Sequence, residues 1–239
     1  ITKWLDFNVG GIDLSFTNAS GFMAFGVILT IAFFGFAASK GQLVPSRLQS
    51  LAEIGYGFVA DMVRGAAGEE GLKFFPFVFT LFFFIFFANM IGMVPYAFTT
   101  TSHIIVTAAL ALLVISIVIG YGFYKNGFKF LKLFAPSGAP FIIYFLLVPI
   151  EIISFFARPL TLSLRLFANM LAGHIMLKLF AGFTVALIAA GGAYVVIAPF
   201  AFAMGVALNA LELLVAGLQA YVFAILTCVY LNDALHPAH

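Results

Sequence analysis

Five ionisable side chains, Glu151, Arg158, Arg165, His174 and Lys178, interrupt the otherwise apolar run from Pro149 to Phe180. Only 8% of the chain is charged, so this concentration needs a reason. A charge at membrane depth costs roughly 2.5–3.5 kcal/mol on insertion scales, and such residues usually mark ion or proton paths. The types present suit proton handling. An arginine cannot release its proton, but it can draw a carboxylate towards it and make that carboxylate give its proton up. Imidazole and carboxyl groups can each take up and release one, which makes His174 and Glu212 a candidate relay. Asn169 and Gln219 offer amide donors and acceptors.

At about 100° per residue, a helix carrying Glu151, Arg158 and Arg165 at steps of seven holds them within about 60° of one another. Thr161 and Asn169 join that stripe. His174 falls about 180° from Arg165, with Ser163 and Lys178 near it. Two polar stripes on opposite sides, meeting towards Arg165, point to two separate access routes rather than one continuous pore. In the next long run Glu212 and Gln219 are again seven apart, and Asn209 precedes Glu212 by three.

The elements that must position these groups follow from composition. Of 239 residues, 64% are hydrophobic and the mean hydropathy is +1.17. A soluble domain would be about half apolar and a quarter charged, so the chain reads as an all-α polytopic membrane protein. The net charge of +2 comes from scattered basic residues and gives no footprint for nucleic acid. Cys228 is single, which leaves no intrachain disulfide, and reads as a small buried apolar residue. Four histidines show no ligand-like spacing, so no metal or other cofactor is expected. No secretory signal is legible between Trp4 and Asp13; the opening isoleucine is compatible with a missing or processed leading piece.

In order, residues 14–39 carry enough uncharged length for one span. Lys40 to Lys73 is rich in charge, and within it Leu48, Leu51, Ala52, Gly55, Phe58, Val59 and Met62 repeat at three and four. This predicts an amphipathic surface helix over 45–67, capped by Ser46. Residues 75–124 are too long for one crossing and break near Pro95–Ser102, giving a hairpin of spans near 75–95 and 103–124. Two long apolar runs, 140–181 and 194–232, form a pair separated by a turn around Gly191-Gly192. About forty helical residues measure about 60 Å against about 30 Å of hydrocarbon, so each must tilt strongly, kink at Pro149, Pro159 or Pro199, or divide. The total is about five crossings plus the surface helix. Lys40, Arg47, Arg64, Lys73, Lys125, Lys129 and Lys132 share one side, which the positive-inside rule makes cytoplasmic. The N-terminus is then outside and the C-terminus inside. The 32 phenylalanines read as lipid-facing or interhelical packing.

Each polar residue also has a plain structural reading. Arg165 could pair with Glu151 or Glu212 simply to fix helices, Glu212 could hold His174 in a buried hydrogen bond, and Asn169 and Gln219 could join helices through their amides. Glu151 sits nearer an interface; Arg158 and Lys178 can extend to one. His103 reads as a cap or interfacial residue.

The segment Pro159-Leu-Thr-Leu-Ser-Leu-Arg165-Leu-Phe-Ala-Asn169-Met-Leu-Ala-Gly173-His174 resembles the signature of subunit a of F-type ATP synthases. Glu212-Leu-Leu-Val-Ala-Gly-Leu-Gln219-Ala-Tyr-Val-Phe is similar to that family's last-helix signature. The likeness covers the chain from about Leu14 onward. It implies a proton-translocating stator subunit without nucleotide of its own, set in lipid in the bacterial inner membrane, facing a ring of c subunits and held by peripheral-stalk b-type subunits. It implies Arg165 as the stator arginine, Asn169, His174, Glu212 and Gln219 as proton-path positions, and Glu151 as part of a cytoplasmic exit route. Enteric bacterial forms carry glutamate and histidine where His174 and Glu212 stand; the exchanged pair is similar to mitochondrial relatives and implies an alphaproteobacterial source. Gly92 occupies a place that is aspartate in some bacterial relatives, so no acidic outer role falls there. Two rival readings stay open on the residues alone: a channel or secondary transporter acting by itself, against which the missing inverted repeat counts, and a non-transporting assembly subunit.

Overall fold

The computed structural model describes all residues except 1, 2, 6, 7, 10, 11, 14, 40–44, 95, 96, 98, 128, 129, 132–140 and 236–239. Lys40, Lys129, Lys132, Pro140, His236 and His239, and part of the break at Pro95–Ser102, therefore lie outside the described residues. Before the first helix, β1 (Lys3–Leu5) pairs antiparallel with β4 (Phe16–Thr17), and β2 (Asn8–Val9) with β3 (Ile12–Asp13). These short ladders were not legible in the mixed, polar start of the chain. Among the described residues the regular elements that follow are all helical, and five stretches are long and apolar enough to cross a membrane.

Helix α1 (Asn18–Ala38) has 21 residues, about 31 Å and so close to one hydrocarbon thickness. Its start is fixed by a reciprocal cap in which Ser20 N donates to Thr17 Oγ1 while Thr17 N donates to Ser20 Oγ. Helix α2 (Arg47–Gly71) begins where Ser46 accepts a hydrogen bond from Gln49 N. Gly68, at φ +68°, kinks its last turn, and a 3₁₀ turn at Leu72–Phe74 leads into α3 (Phe75–Gly92). A turn containing a second 3₁₀ segment, Thr100–Ser102, connects to α4 (Ile104–Asn126). Helix α5 (Phe141–Ala190) is 50 residues long, about 75 Å, and keeps Pro149 and Pro159 within it. It runs nine residues past the expected boundary at 181, because Gly182 keeps helical geometry and no charge or proline intervenes before Gly191 and Gly192, whose φ values of 68° and 60° make the turn. Helix α6 (Ala198–Leu235) returns along α5.

The core forms where α2, α3, α4 and α5 pack around α6, with Val59, Val63, Ile85, Val114, Leu166 and Phe223 fully buried. The apolar stripe of α2 is divided by this packing. Ala52, Val59 and Met62 are buried and Phe58 packs its ring on Phe82 and Tyr221, whereas Leu48 and Leu51 are exposed, as are Glu53, Asp61 and Arg64. An apolar margin next to a charged one suits a helix lying at a membrane boundary. Phenylalanines knit α1 to α3, with the Phe34 and Phe83 rings 4.7 Å apart, which is the packing role their number suggests.

At one end of the bundle Lys125 pairs with Glu70, and Asn126 Nδ2 donates to the Ala234 carbonyl at 2.7 Å, joining the ends of α2, α4 and α6. Phe130 is folded back there onto Gly122 and is 1% exposed. A Cβ at position 122 would collide with the Phe130 ring. Gly122→Ala should therefore cost about 1–3 kcal/mol, as overpacking does in well-filled cores, and lower the thermal midpoint of the purified protein in lipid nanodiscs. An unchanged midpoint would show that Phe130 can move aside freely.

Candidate functional site

The site is built on the seam between α5 and α6. Helix α5 turns Phe155, Leu162, Leu166 and Met170 into the core. Because Arg165, Thr161 and Asn169 are displaced from that face by the helical period, they lie exposed on its flank. Ala168 and Ala172 share the exposed flank with Arg165 within about two turns, and Ser154 lies on it about three turns back. Among the described residues Arg165 has no ion-pair or hydrogen-bond partner. The two carboxylates that could have locked it in place are engaged elsewhere: Glu151 lies 3.9 Å from Arg158, and Glu212 lies by His174.

Glu212 is 5% exposed, and neither of its carboxylate oxygens has a hydrogen-bond partner among the described residues. Its Oε1 lies 3.6 Å from His174 Nδ1. A buried carboxyl with an imidazole as its nearest ionisable neighbour has its charge state tied to that of the ring. The closeness of this pair depends on Gly173. A Cβ there would fall 2.6 Å from Glu212 Oε1 and 2.7 Å from its carboxyl carbon. On the other side of the ring, His174 Nε2 lies 2.7 Å from Thr99 Oγ1, which also donates to the Gly92 carbonyl at 3.0 Å. A cleft of about 770 Å³ opens beside the pair, lined by Gly92, Thr99, His174, Lys178 and Asn209 among others. The imidazole borders this cleft.

One helical turn or so nearer Arg165, Asn169 Nδ2 donates to Gln219 Oε1 at 2.9 Å. Gln219 is 1% exposed and its Nε2 has no partner among the described residues. The seam is further tied by Asn89 on α3, whose Nδ2 donates to the Ala216 carbonyl of α6 at 3.0 Å. His174, Glu212, Asn169 and Gln219 are thus brought to one seam. Glu151 belongs to a separate group at the far end, where Arg158 Nη1 donates to Asp233 Oδ2 at 2.7 Å and the guanidinium lies over the Tyr230 ring. Arg158 thus extends to the last turn of α6, where it clamps the two helices together.

The second polar stripe on α5 also divides. Ser163 is buried against Thr107 of α4, 3.4 Å between hydroxyl oxygens, whereas Lys178 lines the cleft. His103 occupies the cap position of α4, as expected of it. Sequence reasoning missed Thr99, Gly173 as the seat of Glu212, and Asp233. The run Thr99-Thr100-Thr101 in an apolar hairpin was the available signal for the first.

The profile of the family described as ATP synthase A chain matches residues 20–232. The chain belongs to that family. It is 78% identical to ATP synthase subunit a of Hyphomonas neptunium over 99% of this chain and 93% of the relative. Identity to the subunit a of Maricaulis maris is 63%, over 98% and 93% of the two chains, and to that of Mesorhizobium japonicum 59%, over 100% and 95%. The family resemblance of the two helix signatures is therefore upheld across the length of the protein, and its relatives are alphaproteobacterial. Proton transport follows from the family, and with it a place in a bacterial inner membrane as a subunit that does not itself make ATP.

Within this member of the family, the dependence of Glu212 on Gly173 yields a direct expectation. Gly173→Ala should push the carboxyl away from His174 while leaving the α5 surface intact. ATP-driven proton uptake by vesicles carrying the assembled complex should fall about tenfold or more, in the range that misplaced proton-transfer groups cost. Uptake at the parent rate would mean that the Glu212–His174 distance is unimportant.

Proposed function

We propose that this protein is the proton-translocating stator subunit of an F-type ATP synthase, offering two offset half-channels to a rotating ring of c subunits. One observation carries the reading: Arg165 stands exposed and without an ion partner among the described residues on the outer flank of α5, between a polar cluster at each end. A fixed guanidinium in a low-dielectric setting is costly to hold unpaired. Its natural complement is a carboxylate presented by a passing neighbour. The small residues beside it leave room for a helix to come close.

In this reading protons reach Glu212 and His174 through the cleft beside Lys178 and Asn209 and move on by Asn169 and Gln219 to a ring carboxylate. Neutralised, that carboxylate can enter lipid. After rotation it meets the route near Glu151, where Arg165 favours its ionised form and the proton leaves. Arg165 also separates the two routes, since a proton crossing its field directly is repelled. About 2.3 kcal/mol is released per proton and 100 mV, so several must pass for each ATP. The basic residues Arg47, Arg64, Lys73 and Lys125 support a cytoplasmic face at the Glu151 end, with the N-terminus outside and the C-terminus within. Peripheral-stalk b-type subunits are the further partners the family reading supplies.

Arg165→Ala tests it in inverted membrane vesicles whose complex assembly is checked alongside. Pumping should disappear with the complex intact, and passive proton leak should rise. Normal pumping with a normal leak would return Arg165 to ordinary helix packing, and loss of the complex itself would favour an assembly role.

A further inference from the structure

Threonine has one hydroxyl proton, and Thr99 faces two groups that could use it. Its Oγ1 lies 3.0 Å from the Gly92 carbonyl and 2.7 Å from His174 Nε2. Gly92 ends α3, where a carbonyl has no partner from its own helix. Among the described residues no backbone N–H is given to it, and Gly92 is buried. A carbonyl oxygen can only accept, so the contact with Gly92 takes the single hydroxyl proton and leaves Thr99 Oγ1 an acceptor towards the imidazole. The arrangement that satisfies all three groups has Thr99 donating to Gly92 and accepting from His174 Nε2–H. Which nitrogen of an imidazole is protonated is set by the hydrogen bond its other nitrogen makes.

We infer that Thr99 is a positioning residue that holds the Nε2 proton of His174 in place, so that the ring exchanges protons only through Nδ1, the nitrogen facing Glu212. The proposal rests on the outer half-channel reading above. With Nε2–H fixed, Nδ1 and the nearest Glu212 oxygen share one transferable proton: it sits on the carboxyl with a neutral ring, or on Nδ1 with the carboxylate ionised. Lys178 on α5 also faces the cleft, and Asn209 on α6 lines it, but Glu212 is the acid that the ring addresses. The hydroxyl comes from the α3–α4 turn and the ring from α5, so the hairpin thereby sets the chemistry of a helix to which it is joined only in space.

Two measurements decide the matter. In vesicles with the assembled complex, Thr99→Val keeps the shape of the side chain without the hydroxyl and Thr99→Ser keeps the hydroxyl. ATP-driven proton uptake should fall about tenfold in the first, the lower end of what removing the partner of a functional imidazole costs at metal sites, and stay near the parent level in the second. Parent-level uptake by Thr99→Val overturns the proposal. Glu212→Gln, run beside them, separates the two levels: if it pumps normally the half-channel reading itself fails, whereas an inactive Glu212→Gln beside a fully active Thr99→Val removes Thr99 alone. Should Thr99→Val not assemble, ¹⁵N spectra of histidine-labelled parent complex in liposomes decide. With His174→Gln used to assign the signal, the neutral ring at alkaline pH should carry its proton on Nε2, and a ring protonated on Nδ1 overturns the proposal.

Discussion

The cost of keeping charge out of water governs this structure, and the α5–α6 seam is where that cost is met. Among the described residues the acidic groups of the α5–α6 seam each lie beside a basic partner, whereas Arg165 has none. Glu212 faces an imidazole, Glu151 and Asp233 share Arg158, and Glu70 takes Lys125. The Glu212–His174 and Asp233–Arg158 pairs join α6 to α5, so they fix the register of one helix on the other as well as neutralising charge. The guanidinium that remains is held in place from below by packing. Leu162, Leu166 and Met170 anchor the adjoining face of its helix in the core, which leaves the guanidinium on the flank.

Register alone would not bring Glu212 and His174 together, because side chains on facing helices ordinarily keep backbones about 8–10 Å apart. Gly173 removes the obstruction at the position next to the imidazole, and the carboxyl occupies the space a Cβ would have filled. The same device recurs at Gly92, where a Cβ would fall 2.6 Å from Thr99 Cγ2. Both glycines lie in helices, where they cost stability relative to alanine. That cost is offset by contacts that hold the ring of His174 from two sides. The result is a polar cluster whose members are set by backbone proximity rather than by long, adaptable side chains.

How far this was legible in the sequence differs between levels. Spans follow from length and hydropathy, so α1, α3 and α4 fall close to where uncharged runs and the Pro95–Ser102 break put them. The stripe through Arg165 and Asn169 and the spacing of Glu212 and Gln219 were visible because helical periodicity is a local property. Partner choice is not local. Nothing in the sequence ties Arg158 to Asp233, 75 residues later, or Thr99 to His174, likewise 75 residues apart. Ser163 looked like a member of the water-facing stripe on angle alone, but α4 covers it and its neighbour is Thr107. The stripe on α2 shows the same limit, since periodicity gives an apolar arc but not the fraction of it that protein rather than lipid will cover. The strands before α1 carried too little alternation in too few residues to be read at all.

The length of α5 is best understood with these placements in view. A single perpendicular crossing needs about 20 residues, and α5 has 50. Residues 151 and 174 are 23 positions apart, about 35 Å along the axis, which is the whole hydrocarbon thickness. One rigid element can therefore carry a polar group for each end and a charge between them, at about 21 Å and 14 Å from the two. Two shorter spans joined by a loop would place a turn, with its unsatisfied backbone groups, near the centre of the membrane, where such groups have no water to bond. Pro149 and Pro159 are tolerated because they fall towards the Glu151 end, where the Arg158 clamp to Asp233 and Tyr230 holds the helix to its neighbour. Continuity from Arg165 through His174 is left without a proline, and along that stretch the angular relation between the outward-facing guanidinium and the inward-facing imidazole has to be kept.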